Sequence, residues 1–197
     1  MARDVPLAVV IRRGPTSWAQ LSLWHTETDE FSHGAWFRGR IYEEKCDLSP
    51  DGQLFVYAAF QGQRLGSSYT QSWTAISRPP WLHALVVWPL GSTYGGGGRF
   101  IDNRRLVLRG IDRVHPDYSL HGIEVVPGTA EYQRSSDEVE GAGWSGRDQR
   151  NRLVFASSGR VYARSGGRDV LLADFTPLRP DPQPPPEWAT RPLSEPS

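Results

Sequence analysis

Few residues in this chain stand at spacings that do chemistry. Nucleophilic hydrolysis needs a Ser or Cys beside a His that an acid holds in place. Gly143-Trp144-Ser145-Gly146-Arg147 begins like a nucleophile elbow, but Arg147 stands where the last glycine of G-x-S-x-G belongs. No strand precedes it and no helix pattern follows, so it reads as a Gly-rich turn. Cys46 is the only cysteine, set between Lys45 and Asp47. With no cationic helix end beside it, it reads as a buried, inert thiol in a strand. His25, His33, His83, His115 and His121 are scattered, without the short spacing that metal ligands need. His115 and His121 flank Pro116-Asp117-Tyr118, where a site with Asp112 or Asp117 can be drawn; a surface loop is the preferred reading. His83 alternates with Trp81 and Leu85, which places it in the core or on its rim. The glycines of residues 91–98 resemble a phosphate cradle in number only. They lack Gly-Lys-Ser/Thr and lead into a strand at Phe100, so a flexible loop is expected. Asp137-Glu138-Val139-Glu140 reads as a solvated acidic loop. No metal and no cofactor is implied.

Binding chemistry is better represented. Residues 67–99 hold Tyr69, Trp73, Trp81, Trp88 and Tyr94, with Arg78 directly before Pro79-Pro80. Aromatics and arginine on stiffened loops are the usual anchors of protein interfaces. The candidate binding residues are Trp73, Arg78, Trp81 and Tyr94. The competing expectation is that large rings such as Trp81 and Trp88 are core packing in a small β-protein.

The elements that must position these residues are short. No apolar stripe at helical spacing survives for three turns without Gly, Pro or a cluster of β-formers. Alternating runs predict strands over residues 7–12, 18–25, 35–42, 53–60, 82–88, 105–109, 122–126, 152–156, 160–164 and 169–174. In the run 53–60 both faces are apolar, which predicts a central strand covered on both sides. Ser157-Ser158-Gly159 predicts a hairpin. The chain of 197 residues is long enough to bury a core without disulfides or metals. The 22 basic and 22 acidic residues balance, so nucleic-acid binding is not expected. All but one of the basic residues are arginines, the exception being Lys45. No stretch has the length and apolarity of a membrane span or the layout of a signal peptide, so a cytoplasmic protein with no membrane partner is expected. Half of the 16 prolines fall in residues 177–197. The expected organisation is therefore a single all-β domain over 1–176 and a Pro-rich tail over 177–197, solvated or draped on the surface.

Pro50-Asp51-Gly52-Gln53-Leu54-Phe55-Val56-Tyr57, Ile101-Asp102-Asn103-Arg104-Arg105-Leu106-Val107-Leu108 and Asp148-Gln149-Arg150-Asn151-Arg152-Leu153-Val154-Phe155 share one form: a turn, a polar residue, then an apolar strand. They recur about 50 residues apart, the length of a propeller blade. Ser49-Pro50-Asp51-Gly52 and the strand after it resemble the turn and strand of TolB-type and WD40-like β-propeller blades, although the Gly-His and Trp-Asp signatures of WD40 repeats are absent. The stretch 151–175 is similar to the ends of uncharacterised bacterial proteins. The resemblance implies a small β-propeller-like domain, with a β-sandwich as the alternative, and no particular activity. Three functions are compatible with these features: a non-catalytic scaffold that binds a protein or peptide through loop aromatics, a hydrolase with a remote His/Asp site near His83 and His115, and a partial propeller completed as a homo-oligomer.

Overall fold

A computed structural model describes residues 1–14, 16–62, 70–110, 113–130 and 137–194. Tyr69 and Asp112, singled out above, lie outside the described residues. The described residues fold into four sheets of short strands. The first holds β1 (Leu7–Arg13), β2 (Trp18–His25) and β3 (Glu30–Arg38) in that order. The second runs from β4 (Arg40–Ile41) through β6 (Phe55–Phe60) and β7 (Ser72–Ser77) to β8 (Val86–Leu90), with β5 (Asp47–Leu48) also paired to β6. The third is β9 (Gly98–Phe100), β10 (Arg105–Leu108) and β11 (Glu124–Val125). The fourth is β12 (Trp144–Arg147), β13 (Leu153–Ser157), β14 (Arg160–Ser165) and β15 (Arg168–Asp174). Every pairing is antiparallel except the parallel contact of β10 with β11. Helix among the described residues is confined to a 3-10 turn at Glu43–Lys45 and one α-helical turn, α1 (Glu187–Thr190).

Apolar alternation explains how the sheets stack. In β6, Phe55, Tyr57 and Ala59 face Ala19 and Leu21 of the first sheet. Val56, on the other face, meets Ile76, Val86 and Trp88 with Phe100, Leu106 and Leu108 of the third. Ala8 and Trp24 of the first sheet pack on Val154 and Ala163 of the fourth. The first sheet thus lies between the fourth and the second, and the second lies against the third. The N-terminal segment touches all four. Ala2 N–H donates to Leu7 O of β1, and Asp4 N–H donates to Pro50 O after β5. Arg3 donates to Phe100 and Ile101 carbonyls, and Gln149 Nε2 donates to Ala2 O and Val5 O.

The recurring turn has a common chemistry. Asp51 Oδ1 accepts the Gln53 N–H at 3.0 Å. Asp102 Oδ1 accepts the N–H groups of Arg104 and Arg105, and Asp148 Oδ1 those of Arg150 and Arg152. A short carboxylate folding back on its own backbone fixes a turn without relying on tertiary contacts. Each such turn precedes an interior strand of a different sheet: β6, β10 and β13.

Two expectations change, and a third gains detail. Residues 72–77 form β7, a fully buried strand, where loop had been expected. Ser-Trp-Thr-Ala-Ile-Ser has too many hydroxyls to read as core, yet all six residues are buried. Residues 144–147 form β12, where a turn had been expected, because their backbone pairs with β13. The tail is draped on the domain but not merely solvated: Ala189 and Leu193 are buried, and Leu193 joins the core between the second and third sheets. Removing it therefore costs packing. Trp188 is 45% exposed.

Candidate functional site

The four candidate binding residues end up in different environments. Trp73 sits in β7 and meets Phe37 edge-on at 5.9 Å, inside the core between the first and second sheets. It offers no surface to a partner. Trp81 is half-buried. Arg78 is occupied by the tail: its guanidinium donates to the carbonyls of Arg191 and Pro192. Burial and the nearby Arg104 and Arg191 lower its pKa. Tyr94 alone stands free, 91% exposed at the tip of the Gly-rich loop.

That loop is held rigidly. Lys45, the single lysine, is buried, and its Nζ donates to Thr93 O at 2.6 Å and Gly95 O at 2.9 Å. The ammonium also lies 4.9 Å from the centre of the Tyr42 ring, whose other neighbour is the Arg40 guanidinium at 4.8 Å. Desolvation, with Arg109 and Arg40 adding repulsion, lowers the Lys45 pKa. Gly97 has φ +79°, and a Cβ there would fall 2.2 Å from Lys45 O. The close approach of loop and lysine therefore requires glycine.

An open cleft of about 390 Å³ lies beside β9 and β10, lined by Arg3, Arg99, Phe100, Ile101, Val107, Thr129 and Ala130. Phe100 is fixed from behind, because its N–H donates to Asp47 Oδ2 at 2.8 Å. Burial pushes the Asp47 carboxyl above its ordinary pKa. Arg3 spends one nitrogen on the Phe100 and Ile101 carbonyls, at 2.9 and 3.1 Å. Neither Arg3 nor Arg99 is ion-paired among the described residues. The cleft thus combines two guanidiniums and a threonine hydroxyl with an apolar floor. Arg99 closes the stretch whose aromatics drew attention. Arg3 lies nearly a hundred residues away, and no local signal links the two.

The residues considered for catalysis do not assemble in this cleft. His115 is buried, not on a surface loop: its N–H donates to Val87 O of β8, and its Nδ1 accepts the Asp117 N–H at 3.2 Å. His83 is exposed, as a rim residue would be. His33 Nδ1 lies 2.8 Å from Ser22 Oγ, but Ser22 is fully buried and is also bonded to Gln20, so its hydroxyl cannot reach a substrate. Ser145 Oγ donates to Asp137 O. The Cys46 thiol donates to Tyr42 O, and burial raises its pKa well above that of a free thiol. Among the described residues no three His, Cys, Asp or Glu side chains are placed to hold a metal. None of their helices is long and apolar enough to cross a membrane. No family model, curated protein or solved structure matches the chain.

Proposed function

We propose that this chain is a non-catalytic scaffold, propeller-like in plan, that binds an extended acidic segment of a protein or peptide in the cleft beside β9. The observation that carries the function is the pairing of two guanidiniums free of carboxylate partners with an apolar floor in one open cleft. A guanidinium fork receives a carboxylate through two parallel hydrogen bonds, and an adjacent apolar surface takes the neighbouring side chain. The propeller-like plan is supported by the Asp-turn unit, which recurs once in each of three sheets, and by the N-terminal segment that reaches all four. Neither His83 nor His115 lines the cleft, so the hydrolase alternative gains no support from it.

The test is fluorescence anisotropy with a panel of labelled short peptides, acidic, neutral and basic, each carrying one or two apolar residues. Acidic peptides should bind best, and affinity should fall as salt is raised. A charge-assisted hydrogen bond contributes about 1.5–3 kcal/mol, so Arg99→Glu should weaken binding at least tenfold. Because Arg99 is exposed and unpaired, the thermal midpoint should stay unchanged. Equal affinity for all three peptide classes, or binding indifferent to Arg99→Glu, would remove this reading.

A further inference from the structure

We infer that Arg78, Arg104 and Arg191 form a binding site for a phosphate-type oxyanion, which ties the tail to the junction of the second and third sheets. Arg104 stands in the turn before β10, and its Nη1 is buried without a hydrogen-bond partner. A buried guanidinium nitrogen that lacks an acceptor carries the desolvation cost of a charged donor with nothing to offset it. The atom lies in a tight corner. A Cβ on Gly122 would come 3.5 Å from it and 2.5 Å from Ser194 O of the tail. Two further guanidiniums are close by. Arg78, just past the end of β7, donates to the carbonyls of Arg191 and Pro192. Its charge is repelled by both Arg104 and Arg191.

The balance of charge selects the ligand. Glu187 Oε1 lies 3.3 Å from Arg191 Nη2. Among the described residues no carboxylate bonds to the side chain of Arg78 or Arg104. Three guanidiniums against one carboxylate leave an excess of two positive charges. A water would satisfy Arg104 Nη1 and leave the repulsion in place, and a carboxylate would cancel only one charge. A phosphate group carries about −1.5 to −2 near neutral pH and has oxygens enough for several donors. Its oxygens also match the guanidinium fork. Arg78 already gives both terminal nitrogens to the tail, so it contributes mainly charge, while Arg104 and Arg191 supply the donors. The side chains of Arg191 and Glu187 are exposed, so a small ion can enter from solvent. None of the three arginines lines the peptide cleft, and the inference does not depend on it.

The test is equilibrium dialysis of the full chain against radiolabelled inorganic phosphate, with thermal melts in phosphate and in chloride of equal ionic strength. Phosphate should bind saturably and raise the melting temperature above its value in chloride. Arg104→Met keeps the stem and removes the donors, so phosphate affinity should fall at least about tenfold. In chloride this variant should melt no lower than the wild type, because an unpaired buried donor has gone. In phosphate the order should reverse, a crossover that a merely structural arginine would not give. Glu187→Gln removes an exposed carboxylate and should tighten phosphate about two- to fivefold. Glycerol phosphate separates the two sources of the group: competition as strong as that of inorganic phosphate supports a small phosphate ester, and no competition supports the free ion. Phosphate that stabilises no more than chloride overturns the proposal. So does binding that survives Arg104→Met, or binding lost in Arg99→Glu, which would place the ion in the peptide cleft.

Discussion

Three long strands end their sheets, β1, β3 and β15, and the chain treats the last two differently. β3 is covered at one point. Ala35 N–H donates to Pro80 O at 2.9 Å, so the segment Pro79-Pro80 meets the edge there. Gly34 makes this possible, because a Cβ at that position would fall 2.3 Å from Pro80 O. Proline is suited to the role: it offers a carbonyl while presenting no N–H of its own to recruit another strand. The tail backs this arrangement, since Arg78, next in sequence to Pro79, holds the Arg191 and Pro192 carbonyls. β15 has no such cover. Its exposed face is closed only by ion pairs along the sheet, Arg164 with Asp169 and Arg160 with Asp174. Covering therefore depends on what the rest of the chain brings to an edge, and strand composition alone does not provide it.

The largest effect expected at an edge comes from uncovering β3. Gly34→Val places a branched side chain where Pro80 sits, and either the proline segment moves away or the strand is displaced. Such overpacking against backbone costs about 3 kcal/mol, read as a fall in the urea midpoint. The variant should also begin to self-associate, because β3 then presents an uncovered edge. A variant that is destabilised but stays monomeric would show that an exposed edge is not sufficient for pairing, and would weaken the comparison itself.

Local order was legible in the sequence and covering was not. Strand β6 could be read because both of its faces are apolar, and Val56 is indeed fully buried between two sheets. The β13–β14 hairpin followed from Ser157-Ser158-Gly159, and the Asp turns from their own spacing. Strand β7 could not be read, since Ser72, Thr74 and Ser77 look like loop residues; their burial results from neighbours β6 and β8, which are far apart in sequence. The same limit affects the binding residues. Trp73 and Tyr94 are both aromatic residues among polar neighbours, yet one packs against Phe37 and the other stands in solvent. Arg99 joins Arg3 only because the N-terminal segment runs past β9, a placement no local pattern encodes.

A smaller effect is expected where the two edge-bearing sheets are joined. Arg152 donates to both Asp29 oxygens at 2.7 and 2.8 Å and to Asp148 Oδ2 at 2.7 Å, and its Nη2 also reaches Thr26 O. This network ties the β2–β3 turn to the turn before β13. Arg152→Met keeps the stem and removes the fork, which should cost about 2 kcal/mol for a partly solvated network. The pH dependence is a second readout. Hydrogen bonding from Arg152 holds the Asp29 carboxyl below its ordinary value of 3.8. A depressed folded pKa means this stabilisation is complete above the unfolded value and is lost as pH falls through the folded one. The wild type should therefore lose stability on acidification below about pH 4 more steeply than Arg152→Met. Parallel pH profiles would show that Asp29 does not depend on Arg152.

The smallest effect is expected at the residue that looks most like an anchor. Tyr94 is 91% exposed, and the loop that carries it is fixed through backbone carbonyls bound to Lys45. Its ring has no part in that attachment, so Tyr94→Ala should leave the urea midpoint within about 0.5 kcal/mol of the wild type. Trp73→Ala, from the same stretch of sequence, serves as the control and should lose about 4 kcal/mol, the usual cost of emptying a buried tryptophan site. The contrast applies the lesson of β3 and β15 to single side chains: stability follows what the remainder of the chain lays over a residue. A Tyr94→Ala loss as large as that of Trp73→Ala would mean the ring is covered in solution. The Gly-rich loop would then have to be redrawn as packed against the domain.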